Sequence, residues 1–159
     1  LYAALGEKLP PEQPPAIVHG DYRLDNVVVG ADDQVLAVPD WEMATLGDPL
    51  MDLGSALAYW VQADDGFLMR STRRQPTHLP GMLTRREVVE YYLQRSGLRP
   101  ADWRFYEVFG LFRLAVIIQQ IYYRYHHRQT RNPAFRRFWL LVHYFDWRCR
   151  KLLRSQASR

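Results

Sequence analysis

Apolar residues at Phe105, Val108, Phe109, Phe112, Ala115, Val116, Ile118 and Tyr122 recur at helical spacing through one stretch, which the pattern carries from Pro100 to about Arg128. No other feature of the sequence limits the fold as much. A helix of that length with so broad an apolar face must be covered by other elements, so the second half of the chain is expected to be a helical body. Candidates to cover it are at hand. Leu50, Leu53, Leu57 and Trp60 keep helical intervals after Asp48, a candidate N-cap, with Pro49 in the first turn. Thr84 followed by Glu87 is a capping-box pair and predicts a helix that Gly97 ends. Asn132-Pro133 opens a last helix carrying Phe138, Leu141, Val142, Phe145, Leu152 and Leu153. Residues 64–83, rich in Arg, Gly and Pro, read as a long loop.

Ahead of Asp48 the pattern is different. "AIVHG", "NVVVG" and "QVLAVPD" are short β-type runs, and the last two are separated by "GADDQ", which suits a hairpin connection. The expected class is therefore α+β, mainly helical with a few short strands. A chain of 159 residues is one domain's worth, and 48% hydrophobic composition excludes a disordered tail. The single cysteine, Cys149, can close no internal disulfide and leaves no CxxC for zinc, which makes a reduced, cytoplasmic setting the expectation. No basic start followed by an apolar stretch suggests a signal peptide, and the apolar runs are expected to fall short of a membrane span.

Charge divides the chain. Residues 1–65 carry twelve acids and two bases, a net −10, and residues 66–159 carry five acids and nineteen bases, a net +14. Solvated arginines on helix faces account for much of the second figure. An acidic half beside a basic one also suits a catalytic site next to a surface for an anionic partner.

The short strands surround the chemistry. "HGDYRLDN" spans positions 19–26, and "VPDWE" follows at the end of the next apolar run. A loop that leaves one strand end and closes at the next can turn Asp21 and Asn26 toward one cavity, and Asp40, at the end of the last run, can face it too. An amide and a carboxylate together suit Mg²⁺, a hard cation that takes few protein ligands and keeps oxygens from phosphate and water. A further carboxylate held off the metal can accept a hydroxyl proton. Phosphoryl transfer uses these parts. Asp25 and Glu42 are expected to be surface or supporting groups.

"HGDYRLDN" followed by "DWEMATLGDPLMDLG" resembles the core of the aminoglycoside phosphotransferase family, densely over about positions 16–58 and loosely through the later helices. The resemblance implies a protein-kinase-like fold, of which residues 1–159 would be the C-terminal lobe. It makes Asp21 the catalytic base and Asn26 and Asp40 the ligands of Mg²⁺ bound with ATP or GTP. His19, Asp48 and Asp52 become structural support for the catalytic loop. The "LGDP" wording and the Trp-Glu after Asp40 resemble the branch of kinase domains fused to acyl-CoA dehydrogenases. That branch implies a small-molecule hydroxyl acceptor of the hydroxyacyl-CoA kind in place of an antibiotic. Pro39 departs from the aliphatic residue usual before the metal aspartate.

A kinase of this fold also needs a Gly-rich loop and a strand lysine on the α/β-phosphates. Here the two lysines, Lys8 and Lys151, sit in no strand pattern, there is no GxGxxG, and Leu1 is not an initiator Met. The expectation is a lobe from a longer kinase, with its nucleotide-binding N-terminal lobe missing from residues 1–159 and little activity alone. Two other readings compete. A metal-dependent phosphohydrolase would draw several histidines to Asp21, from among His78, His126, His127 and His143. A nucleic-acid or anion-binding module would use the basic end from Arg124 onward, with ten Lys/Arg against one acid. Against that module, Trp139, Tyr144 and Trp147 keep helical spacing with the core residues and are expected to be packed. The acceptor pocket is expected from residues 84–159, with Arg113, Arg124 and Arg128 as candidates to hold an anionic alcohol.

Overall fold

A computed structural model of the protein describes residues 1–155; Arg159 of the basic end lies outside them. A short helix α1 (Tyr2–Gly6) precedes four short strands, β1 (Ala16–Val18), β2 (Val28–Val29), β3 (Val35–Ala37) and β4 (Thr45–Gly47). Five helices follow: α2 (Pro49–Ala58), α3 (Phe67–Arg70), α4 (Arg85–Ser96), α5 (Trp103–His126) and α6 (Phe138–Arg154). The α+β class, helical with few strands, is as the sequence reads.

β2 and β3 form the expected hairpin, closed by Gly30 N–H donating to the Gln34 carbonyl at 2.8 Å. β1 pairs antiparallel with β4, a strand the sequence did not announce. Its three residues are too few to show alternation, and only the pairing with β1 defines it. Two-stranded ribbons cannot bury both faces. Ile17 and Leu46, directly paired, are accordingly 70% and 74% exposed.

The core lies among the helices. α5 packs against α2 on one side and α6 on the other. Tyr106, Phe145, Leu50, Met69, Val61 and Val108 are fully buried there. Truncating such a residue to alanine costs about 2–5 kcal/mol. Of the residues foreseen on the apolar face of α5, Phe105, Val108, Ala115 and Ile118 are buried, while Val116 faces out and Tyr106, Leu111 and Leu114 take inner places instead. At 24 residues α5 does reach membrane-spanning length and apolarity, contrary to the expectation from short runs. Its buried stripe between α2 and α6 is what a central core helix requires.

Local chemistry sets the helix ends. Asp48 caps α2 by accepting from Leu50 N–H, and Pro49 takes the first turn. Thr84 and Glu87 close both halves of the capping box on α4, and Gly97 ends that helix at φ 73°. α5 begins three residues later than read, at Trp103, because Asp102 caps it. Asn132 caps a 3₁₀ turn, Pro133–Arg137, and α6 proper starts only at Phe138. The long loop contains α3, four residues anchored by the buried Met69.

Two glycines decide how close the central helices come. A Cβ on Gly110 of α5 would strike the Gly54 carbonyl of α2, and one on Gly54 would strike the Tyr106 carbonyl. The backbones of α2 and α5 cross in direct contact.

Candidate active site

The loop that carries Asp21, the candidate catalytic loop, hangs from α2. Asp52, in the first turn of α2, accepts from the amides of His19 at 2.7 Å and Gly20 at 3.0 Å. Gly20 has φ 81°, and a Cβ there would lie 2.6 Å from the Met43 carbonyl, so the turn after His19 admits glycine alone. His19 is buried. Its Nε2 donates to the Pro39 carbonyl at 2.8 Å, and its Nδ1 accepts from the Asp21 amide at 3.3 Å. Those partners fix the neutral tautomer with the proton on Nε2.

Asp21 and Asn26 meet. Asn26 Nδ2 donates to the Asp21 carbonyl at 2.9 Å and to Asp21 Oδ2 at 3.2 Å. The amide nitrogen is thereby committed, which leaves Oδ1 to face elsewhere. Arg23 binds the same Asp21 oxygen at 3.1 Å, reaches Asp25 at 3.4 Å, and lies 4.8 Å over the ring of Tyr59. Burial raises the pKa of the Tyr59 phenol against the opposing pull of Arg23. Asp40 takes the left-handed conformation, φ 69° and ψ 52°, immediately before a 3₁₀ turn, Trp41–Met43. Aspartate tolerates that region better than most residues. Among the described residues no hydrogen bond or ion pair engages the Asp40 carboxylate, which is exposed.

Asp48 acts elsewhere than in the catalytic loop. Its Oδ1 caps α2 and its Oδ2 accepts from Tyr106 Oη at 2.8 Å, so it locks α2 to α5. The pKa of the Tyr106 phenol is pushed far up by burial and then by that carboxylate. Asp48 therefore supports the loop only at one remove, through the helix that carries Asp52.

Beside Asp21 opens a cleft of about 440 Å³. Arg23, Arg74 and Arg113 line it, with Leu114, Ile117, Ile118 and Ile121 of α5 as an aliphatic wall. Of the three arginines read from the sequence, only Arg113 shares this cleft. Arg124 lines a separate hollow with Ile121, Thr130 and Phe135, and Arg128 follows the helix end at φ 57°. Arg23 and Arg74 were missed because one lies inside the motif and the other in a loop with no periodicity. A second cleft of about 370 Å³ lies between α2, α4 and α5, but its three arginines are answered within the protein: Arg85 by Asp65 at 2.7 Å, Arg86 by Glu90 at 2.7 Å and Arg148 by Glu107 at 3.8 Å.

Comparison with known proteins agrees with this geometry. Residues 1–109 match the model of the phosphotransferase enzyme family. The chain belongs to that family. Acyl-CoA dehydrogenase family member 10 of Mus musculus is 42% identical over 119 residues, covering 73% of this chain and 11% of that protein. Acyl-CoA dehydrogenase family member 11 of Rattus norvegicus is 36% identical over 114 residues, 69% of this chain and 14% of that one. A solved structure from Ralstonia eutropha, named for an aminoglycoside phosphotransferase, superposes with a TM-score of 0.72 at 30% identity over 94% of this chain and 47% of its own. The chain thus spans less than half the length of these relatives. The chain has the kinase-like fold and the relatives that its motif resembles.

The competing readings fare differently: the hydrolase finds no histidine cluster among the described residues, while two of the three aromatics counted against the binding module are exposed. Among the described residues no group of three or more His, Cys, Asp or Glu side chains gathers to hold a metal, as a histidine-rich hydrolase centre would. His126 and His127 lie together, rings 5.3 Å apart, at the exposed end of α5, and His143 sits against Trp139 on α6. The expected packing of the α6 aromatics is corrected in part. Tyr144 touches the core, but Trp139 and Trp147 are 44% and 55% exposed, because the helix turns them off its buried stripe.

Proposed function

We propose that residues 1–159 form the catalytic lobe of a phosphotransferase that moves the γ-phosphoryl group of ATP to the hydroxyl of an anionic small molecule. The observation that carries this reading is the cleft itself, where the Asp21 carboxylate and three arginines share one opening. Asp21 accepts the acceptor's hydroxyl proton as the oxygen attacks γ-phosphorus, the bond to the bridging oxygen breaks, and ADP leaves. Asn26 keeps Asp21 in place through Nδ2. Its Oδ1 and the Asp40 carboxylate, neither engaged among the described residues, would hold magnesium through oxygen. Bound there with the nucleotide, Mg²⁺ would neutralise charge between the β- and γ-phosphates.

The same cleft argues for the acceptor. Aminoglycosides are polycations, and Arg74 and Arg113, which have no ion pair among the described residues, repel them, while Arg23 is taken up by Asp21 and Asp25. A phosphate or carboxylate would be held by bidentate arginine contacts, and an alkyl segment by the α5 wall. A hydroxyacyl-CoA ester meets both demands. The nucleotide's α/β-phosphates call for a Gly-rich loop and strand lysine outside residues 1–159, so the isolated chain is inactive in this reading. The apolar ribbons around Ile17 and Leu46 are the seat for that second lobe.

The test uses the natural full-length polypeptide with magnesium-ATP, offered kanamycin or a hydroxyacyl-CoA ester. Phosphorylation of the ester, reduced by about 10²–10⁴ in Asp21→Asn, is expected. Turnover of kanamycin with none of the ester overturns the acceptor; full activity of Asp21→Asn overturns the base.

A further inference from the structure

The segment from Ser71 to Thr77 supplies Ser71, Thr72 and Arg74 to the wall of the cleft beside Asp21. It has no regular secondary structure to hold it. Side chains do so instead. Thr77 Oγ1 donates to the Val61 carbonyl at 2.8 Å and accepts from the Val61 amide at 3.1 Å, with both residues buried. Thr72 Oγ1 donates to the Met69 carbonyl at 2.6 Å. The third tie runs elsewhere: Gln75 Oε1 accepts from the Leu24 amide at 3.3 Å, fifty-one positions away in the chain.

Leu24 opens the 3₁₀ turn Leu24–Asn26, and Asn26 is the residue whose amide holds Asp21. Gln75 is only 7% exposed, and among the described residues its Nε2 has no hydrogen-bond partner. A buried amide with one end unpaired is destabilising, so packing alone would favour an apolar residue at this position. Its oxygen does what an apolar residue cannot. Arg74, the preceding residue, is exposed on the cleft while Gln75 is turned into the interior.

We propose that Gln75 is a positioning residue that couples the arginine-bearing wall of the cleft to the catalytic loop. The inference rests on the reading of Asp21 as base and adds the element that sets its place. An anion pulling on Arg74 displaces the backbone of its neighbour, and Gln75 transmits that displacement to the turn that orients Asn26 and Asp21. The acceptor side is thus tied to the proton-accepting side by one side-chain hydrogen bond.

The experiment compares Gln75→Met, which keeps length and removes the oxygen, with Gln75→Glu, which keeps an oxygen within reach of Leu24. Both are made in the full-length polypeptide. Amide hydrogen exchange at Leu24 is expected to quicken at least about tenfold in Gln75→Met, with the core amides of α5 unchanged. The kcat for magnesium-ATP turnover should fall about 10–100-fold while KM for ATP stays within about twofold, and Gln75→Glu should recover most of both losses. Unchanged exchange at Leu24, wild-type kcat in Gln75→Met, or no recovery in Gln75→Glu overturns the proposal. Full activity of Asp21→Asn would sink the underlying reading and this one with it, and the Leu24 exchange would still report separately on the tie.

Discussion

His19 and Pro39 are joined by one proton: Nε2–H of the histidine donates to the proline carbonyl at 2.8 Å. The bond ties the loop that presents Asp21 to the backbone immediately before Asp40. It links the two halves of the candidate site across twenty positions of sequence. Replacing His19 by alanine is expected to lower kcat of the full-length enzyme about 10–100-fold and to raise the magnesium concentration needed for half-maximal rate. A variant that keeps its fold by circular dichroism and its wild-type magnesium dependence would show that the link does not position Asp40.

Asp52 holds the same loop by charge, through two backbone amides at 2.7 and 3.0 Å. Hydrogen bonds to an ionised acceptor contribute about 1.5–3 kcal/mol each. A neutral carboxamide at this position offers one acceptor oxygen in place of two, so Asp52→Asn should lose about 2–3 kcal/mol in urea unfolding together with activity. Loss of activity at unchanged stability would mean that Asp52 acts on substrate directly.

At the α2/α5 crossing the space for a side chain is already taken by backbone. Gly110→Ala should destabilise by about 3 kcal/mol or more, and Ala115→Gly, farther along the same helix, by about 1 kcal/mol from propensity plus its lost methyl. Calorimetry on both separates the crossing from a general weakening of α5. Equal melting temperatures would refute a backbone contact at Gly110.

Asp65 provides an acid limit. Burial alone would raise the pKa of its carboxyl, but two bonds from Arg85, at 2.7 and 2.8 Å, and the Gln62 amide hold it below the usual value. The folded state therefore binds fewer protons than the unfolded state as pH drops. The stabilisation is complete above the unfolded pKa of about 3.9 and disappears as pH falls through the lower folded value. Asp65→Asn should flatten the stability–pH curve in that acid window and leave its slope near neutrality alone; an unaltered acid slope is the contrary result.

Cys149 should be inert in the native protein. Burial first, then the charge of Asp146, pushes its thiol pKa up to about 12. Thiolate is the reactive form. Iodoacetamide at pH 8 is expected to label Cys149 only as fast as the chain unfolds, followed by mass spectrometry with and without urea. Rapid labelling without urea would contradict its burial.

The sequence disclosed what local chemistry decides. The Thr84–Glu87 box, the Asp48 cap and the Gly97 stop each act within four residues, and each stands where the pattern puts it. The gathering of Asp21 and Asn26 was legible for the same reason, since one loop carries both. Other features depend on partners remote in sequence. β4 exists only through its pairing with β1, and Asp48 bonds Tyr106 from 58 positions away. Arg74 enters the cleft because Gln75 and Thr77 pin a segment without periodicity, a relation that no spacing rule contains.

The glycine crossing also acts as a ruler. α2 carries Asp52 and through it the catalytic loop, while α5 carries Arg113 and the aliphatic wall, and the two helices are fixed to each other where Gly54 meets Gly110. Distances within the cleft are then counted in helix residues from that point. Arg113 stands three residues beyond the crossing and Ile121 eleven, about 4.5 and 16 Å along the axis at 1.5 Å per residue. A charged side chain moved one turn along α5 would change the length of acceptor that fits by about 5 Å, with the reacting groups left where they are. Under the proposed function, acceptor length and chemistry would be set on separate helices.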